Sequence, residues 1–185
     1  MTKYKKDHPD APMSLMGLSA GTAVASAQAM TSEPSRRSSS FSRPGARSTR
    51  LEPSELEQTG IIWAELDLGG GPVNAFAIWM GLEPDERAKQ FSATLPFLDA
   101  HPGPAMWGGD FNSTPDSPVY ARIAGAGFVD PFPTLGLGSP PTSPAIHPAE
   151  RIDFVWLREL EPVDAQVAAS TASDHRMVVV EATSP

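Results

Sequence analysis

The chain has 185 residues, of which 40% are hydrophobic and 19% charged, with a formal net charge of −8. That is enough for one domain with a sizeable core and too short for two comfortable ones. The absence of cysteine excludes disulfides, thiolate metal sites and a cysteine nucleophile, and no apolar run reaches the roughly 18–20 residues of a membrane-spanning helix.

The N-terminal stretch has two readings. Lys3, Lys5 and Lys6 give a positive start, Met13 to Val24 is mildly apolar, and Ala25-Ser26-Ala27 resembles a small-residue cleavage site, which together outline a secretory signal. Asp7, Pro9 and Asp10 interrupt that pattern, and Ser, Gly and Thr dilute the apolar run. The favoured reading is a disordered or weakly helical extension on a cytoplasmic protein, with secretion as the alternative. Residues 31–58, TSEPSRRSSSFSRPGARSTRLEPSELEQ, are rich in Ser, Arg and Pro without apolar periodicity and read as linker. Residues 1–58 thus form a low-complexity extension of net charge +2, and residues 59–185 form an acidic domain of net charge −10. Such a domain lacks the cationic surface that grips a phosphate backbone non-specifically.

From Thr59 onward the texture is that of a folded domain. Ile61 to Leu66 and Val73 to Met80 read as two strands joined by the Gly69-Gly70-Gly71-Pro72 turn, hence a hairpin. Pro84 to Asp99 reads as a helix. Pro84, Asp85 and Glu86 suit its first turn, and Ala88, Phe91, Leu95 and Leu98 recur at helical spacing. Pro96 is expected to kink or end it. Ala105 to Gly109 is a short strand, Pro118 to Ala126 a short helix, and 131–149 a Pro/Gly-rich loop. Ile152 to Leu157 and Met177 to Glu181 complete the strands of an α/β or α+β domain.

Three polar clusters sit at strand ends, where sites are commonly built: Gly108-Gly109-Asp110-Phe111-Asn112-Ser113, Arg151-Ile152-Asp153-Phe154-Val155-Trp156 and Ser173-Asp174-His175-Arg176-Met177-Val178. Singly, each has an ordinary structural explanation. Asp and Asn close turns, an Asp in a strand faces solvent, and an Asp-His pair decorates a loop. Together they supply the parts phosphoester hydrolysis needs, apart from a complete site for the cation that holds the phosphoryl oxygens. These are a carboxylate or amide to place water and an imidazole, with a carboxylate behind it, to move a proton.

The ordered series GGDFNSTPDSPVY, RIDFVWL and SDHRMVVVE resembles the C-terminal motif set of the endonuclease/exonuclease/phosphatase superfamily, and GLEPDERAKQ resembles the stretch before the GDFN motif in many bacterial members. The resemblance covers roughly residues 59–183. It implies the C-terminal half of a DNase I-like four-layer α/β sandwich and a metal-dependent phosphoester hydrolase. By motif match, Asp110 orients or deprotonates the attacking water, Asn112 holds a phosphate oxygen or the nucleophile, and His175 stabilises the phosphoryl oxygens or transfers a proton. Asp153 backs His175, and Asp174 touches the metal directly or through water. Mg2+ or Mn2+ is the implied cofactor and a phosphoester, small molecule or nucleic acid, the implied substrate; no specific protein partner is implied. Arg151 receives no catalytic role, and Phe154 and Trp156 are core.

Two departures bear on activity. The Gln-Glu pair whose glutamate is the family's main magnesium ligand is missing, and Glu33, Glu52, Glu55 and Glu57 all lie in the Ser/Pro/Arg-rich stretch. Ile78-Trp79-Met80-Gly81-Leu82 stands where members often have Thr-His-Leu-Gly-Leu. An indole cannot replace an imidazole as acid or base, so Trp79 is read as a core aromatic. The competing expectation is therefore a catalytically inactive, truncated or frame-shifted remnant, with one sheet face left bare where the first half would pack.

Overall fold

The computed structural model of the chain describes residues 13–17, 25–29, 46–50, 59–67, 71–170 and 172–184. The strands in chain order are β1 (Met13–Gly17), β2 (Ala25–Ala29), β3 (Ala46–Arg50), β4 (Gly60–Asp67), β5 (Pro72–Trp79), β6 (Ala105–Asp110), β7 (Asp153–Arg158), β8 (Glu161–Ala168) and β9 (Met177–Thr183). The helices are α1 (Pro84–Asp99), α2 (Pro118–Gly125) and the single-turn α3 (Pro131–Thr134).

The β4–β5 hairpin forms as expected. The link from β5 to β6 is parallel, so it needs a crossover, and α1 supplies it. Pro84 opens α1 with Asp85 and Glu86 in its first turn, and Gln90, Phe91, Thr94 and Leu98 are its buried face. Gln90 ties the helix to the sheet's upper edge, accepting from the Gly81 N–H at 2.9 Å and donating to Thr59 Oγ1 at 3.0 Å. Pro96 does not end the helix, which continues to Asp99. A proline removes one donor, and the burial of Leu98 holds the last turn on the sheet.

Five strands align in the order β3-β4-β5-β6-β7, and four more in the order β2-β1-β9-β8. Strand alternation divides the interior into two cores. Phe76, Ile78, Trp107, Phe154 and Trp156 point from the five-stranded sheet to the helices, where Phe91, Leu98, Val119 and Ile123 meet them. Val73, Met106, Val155 and Leu157 point the other way, onto Val178, Val180 and Ala182 of β9 and Ala165 of β8. Phe154 and Trp156 are core, as expected. The expected bare face on the five-stranded sheet is corrected by this second core, because the four-stranded sheet covers it. The mixed α/β class holds.

Four features go beyond the expected elements. The 131–149 loop contains α3. β8 was not anticipated; only Ala165 is buried in EPVDAQVA, so its local pattern is weak and the ladder to β9 makes it a strand. β1 pairs with β9 and β2, and β3 pairs with β4, all inside the segment read as an extension. The remainder of residues 1–58, including the body of the expected linker, lies outside the described residues. Cross-strand partners, invisible to local periodicity, define these three strands.

One backbone contact sets the register at the centre of the larger sheet. Gly109 has φ +151°, and a Cβ built on it would sit 1.9 Å from the Ile78 carbonyl oxygen of the neighbouring strand. Only a residue without a side chain fits there. Gly109→Ala is expected to cost at least about 3 kcal/mol, from overpacking against rigid backbone. Thermal or denaturant unfolding of the variant beside the parent chain measures it.

Candidate active site

Gly109 leads directly to Asp110. In the parallel ladder Asp110 lies opposite Trp79, and in the antiparallel ladder it lies opposite Asp153. The three side chains therefore form one row across β5, β6 and β7, on the face turned toward the second sheet. Asp110 and Asp153 are both buried. His175, just ahead of β9, comes in from the second sheet. Its Nδ1 donates to Asp153 at 3.0 Å (Oδ2) and 3.2 Å (Oδ1) and lies 4.0 Å from Asp110 Oδ2. That pairing fixes the ring and assigns proton exchange to Nε2.

The Asp110 carboxyl is pushed up to about 6 from an ordinary 3.8, first by burial and then by the Asp153 charge. Opposing that rise are the Asn112 backbone N–H, the His175 charge and a hydrogen bond from the Trp79 side chain. Asn112 closes the turn after β6 with φ +45°, a conformation Asn tolerates. Its backbone N–H donates to Asp110 Oδ1 at 2.9 Å and its side-chain amide to the Met80 carbonyl at 2.6 Å.

A strap from the 131–150 loop joins the segments that carry Asp153 and His175. Thr142 is fully buried, and its Oγ1 accepts from the backbone N–H groups of both Ile152 and Asp153 at 3.2 Å. The Thr142 carbonyl accepts from the Arg176 N–H at 2.7 Å, and the Ala145 N–H donates to the Asp174 carbonyl at 2.6 Å. Nothing in the sequence singled out Thr142, because a threonine in a Pro/Gly-rich loop gives no local signal of a long-range contact.

Arg151 anchors the same strap. Its guanidinium makes two hydrogen bonds to Asp130, at 2.7 and 2.8 Å, and lies between the Phe132 and Phe154 rings at 4.3 and 4.5 Å. Tyr120 donates to Asp130 at 3.0 Å and the Phe132 N–H at 3.1 Å. Arg151 is thus a structural cation, buried away from the row of site residues.

Of the residues read from sequence, the structure brings together Asp110, Asn112, Asp153 and His175. Asp174 is exposed and outside the group. Trp79, read as a core aromatic, is only half-buried and lies opposite Asp110 in the parallel ladder. One ligand atom each from Asp110, Asp153 and His175 lies within 4.8 Å of the others. Two carboxylates held together against their repulsion, with an imidazole beside them, suit a divalent cation. Among the described residues no glutamate joins the three.

The two-sheet α/β fold thus brings a carboxylate-backed imidazole to the strand ends. The family model described as Endonuclease/Exonuclease/phosphatase family matches residues 13–175, and the chain belongs to that family. The chain is 29% identical over 145 residues to a UPF0294 protein of Vibrio vulnificus (strain YJ016), covering 74% of this chain and 49% of the relative. It therefore spans about half the length of that curated relative. Among solved structures, an endonuclease/exonuclease/phosphatase from Beutenbergia cavernae DSM 12333 superposes with a TM-score of 0.61 at 22% identity, over 75% of this chain and 44% of the other. An endonuclease/exonuclease/phosphatase from Bacteroides vulgatus gives 0.64 at 17% identity, over 74% of this chain and 64% of the other. These likenesses show the DNase I-like fold.

Two predictions follow from the electrostatics. Asp110 holds its proton more tightly folded than unfolded, so its contribution to stability is fully present below pH 3.8 and is lost as the pH rises through about 6. Asp110→Asn, with a chelator present, is therefore expected to gain about 1–3 kcal/mol at neutral pH. Melting curves across pH should show the gain disappear near pH 4. Arg151→Met leaves Asp130 as a buried, unpaired carboxylate and is expected to cost about 3–5 kcal/mol, read as a fall in the urea midpoint.

Proposed function

We propose that this chain is a metal-dependent phosphoester hydrolase in which Asp110 and Asn112 handle water and phosphate and the His175–Asp153 pair handles the proton. The observation that supports it best is the 3.0 Å contact between His175 Nδ1 and Asp153 Oδ2, with Asp110 beside it in the same row. Asp110 accepts a proton from, or orients, the attacking water. Its affinity for protons, raised to about 6, sits near the working range of a general base. One Asn112 amide hydrogen is used by Met80, and the second is the donor for a phosphoryl oxygen. His175 stabilises charge on the phosphoryl group or passes a proton to the leaving oxygen through Nε2, held in that tautomer by Asp153.

Mg2+ or Mn2+ would be held by the Asp110 and Asp153 carboxylates, with Asp174 reaching it through water; when bound, it offsets the phosphoryl negative charge. The net −10 of residues 59–185 favours a small phosphoester over long duplex nucleic acid. No described helix is long and apolar enough to cross a membrane.

A second reading is a non-catalytic remnant. It is favoured by the share of the Vibrio relative covered, 49%, and by the lack of a glutamate in the donor group. Hydrolysis of an activated phosphomonoester and an activated phosphodiester with Mg2+ or Mn2+ separates the two. Turnover is expected, with Asp110→Ala and His175→Ala each lowering kcat about 10²–10⁴-fold. Turnover untouched by both variants would overturn the assignment, and no turnover with either metal would select the remnant.

A further inference from the structure

The turn that follows β5 is gripped from the helix side and from the site side at once. Gln90 and Thr94 are the polar members of the face that α1 buries. Thr94 is satisfied within the helix, its hydroxyl donating to the Gln90 carbonyl at 2.8 Å. The Gln90 side chain instead reaches off the helix. Its Oε1 accepts from the Gly81 N–H at 2.9 Å, and its Nε2 donates to Thr59 Oγ1 at 3.0 Å. The Gly81 N–H needs an acceptor, so it fixes which end of the amide faces the turn. Arg87 fastens the next two carbonyls, that of Gly81 at 3.4 Å and that of Leu82, and leaves the Gly81 N–H to Gln90.

The Gly81 N–H and the Met80 carbonyl belong to one peptide unit, which is trans and planar. The two groups point in opposite directions, so Gln90 and Asn112 hold opposite edges of the same plate. The Met80 carbonyl accepts from Asn112 Nδ2 at 2.6 Å. The Met80 N–H donates to the Asp110 carbonyl at 2.9 Å, one rung beyond the β5–β6 ladder. Among the described residues, Met80 is the one hydrogen-bond partner of the Asn112 side chain. Rotating the peptide plane therefore swings the carbonyl and carries the Asn112 amide with it. A peptide whose N–H is engaged also makes a stronger acceptor of its carbonyl.

We propose that Gln90 is a positioning residue, which fixes the Met80–Gly81 peptide plane and through it aims the Asn112 side-chain amide. Gln90 touches none of the reacting groups. The Asn112 amide hydrogen assigned to a phosphoryl oxygen takes its direction from the one bound to Met80, and that direction is set from α1. The inference rests on the proposed hydrolase activity only for its kinetic consequence; the setting of the Asn112 amide can be read without turnover.

The test uses the full chain. In 1H–15N spectra the Asn112 side-chain amide pair is identified by its loss in Asn112→Gly, a substitution that suits the positive φ. Gln90→Met removes the acceptor at similar volume and is expected to move that pair, the proton bound to Met80 shifting upfield. Gln90→Asn draws the amide back by one methylene but keeps it polar. It is expected to move the pair in the same direction, and it serves where Gln90→Met does not fold. Gln90→Glu keeps an oxygen toward Gly81 and should hold the pair close to its parent position. In kinetics with Mn2+ and an activated phosphodiester, Gln90→Met should lower kcat about 10-fold. With Asn112→Gly already present, the same change should cost no more than about twofold. An Asn112 pair that stays in place in a folded Gln90→Met or Gln90→Asn chain overturns the inference whether or not the chain turns over substrate. So does a Gln90→Glu chain that behaves like Gln90→Met, or a kcat loss of the same size in both backgrounds, which marks a merely structural glutamine. A parent chain without turnover but with the expected amide shift defeats the hydrolase reading alone.

Discussion

The contact between Gly109 and the Ile78 carbonyl is the constraint on which the site depends. It permits two parallel strands to run together without an intervening side chain, and it fixes which residues share a row at their ends. Trp79, Asp110 and Asp153 become neighbours by this register. A shift of one residue would send Asp110 into the aromatic core beside the helices. The same strands separate the two cores, so the packing that stabilises the domain also enforces the pairing.

The site holds an electrostatic conflict in place by distributed polar contacts. Asp110 and Asp153 repel one another in a buried setting, which is visible in the raised proton affinity of Asp110. Donors from Asn112 and His175 answer that repulsion. Behind them, the strap through Thr142 and Ala145 binds the start of β7 to the residues around His175. The Arg151–Asp130 pair fastens the strap between two phenylalanine rings. Functional sites commonly carry this combination of local conflict and surrounding support.

The hairpin, α1, β6, α2, β7 and β9 were legible because each has a local pattern: apolar alternation, helical spacing, or a proline and acids at a helix start. Asp110, Asn112, Asp153 and His175 were legible as an ordered motif series, and the structure gathers them. What escaped has a common cause. β8 and the three N-terminal strands depend on partners distant in sequence, Thr142 acts through backbone groups beyond its own loop, and the place of Trp79 in the site row shows only through its ladder pairing with Asp110. Apolar identity alone made Trp79 look like core. Arg151, by contrast, sits in a motif segment yet serves a buried ion pair, because proximity in sequence to Asp153 does not carry its side chain to the same face.

The strap makes the site depend on a loop that carries none of its side chains. Asp110, Asp153 and His175 come from three separated segments, and residues 142–145 bind the segments that carry the last two. The imidazole–carboxylate pairing is thus held by contacts between segments far apart in the chain, so loosening the 142–145 strap alone would free both partners while leaving the helices and the β4–β5–β6 unit their own contacts.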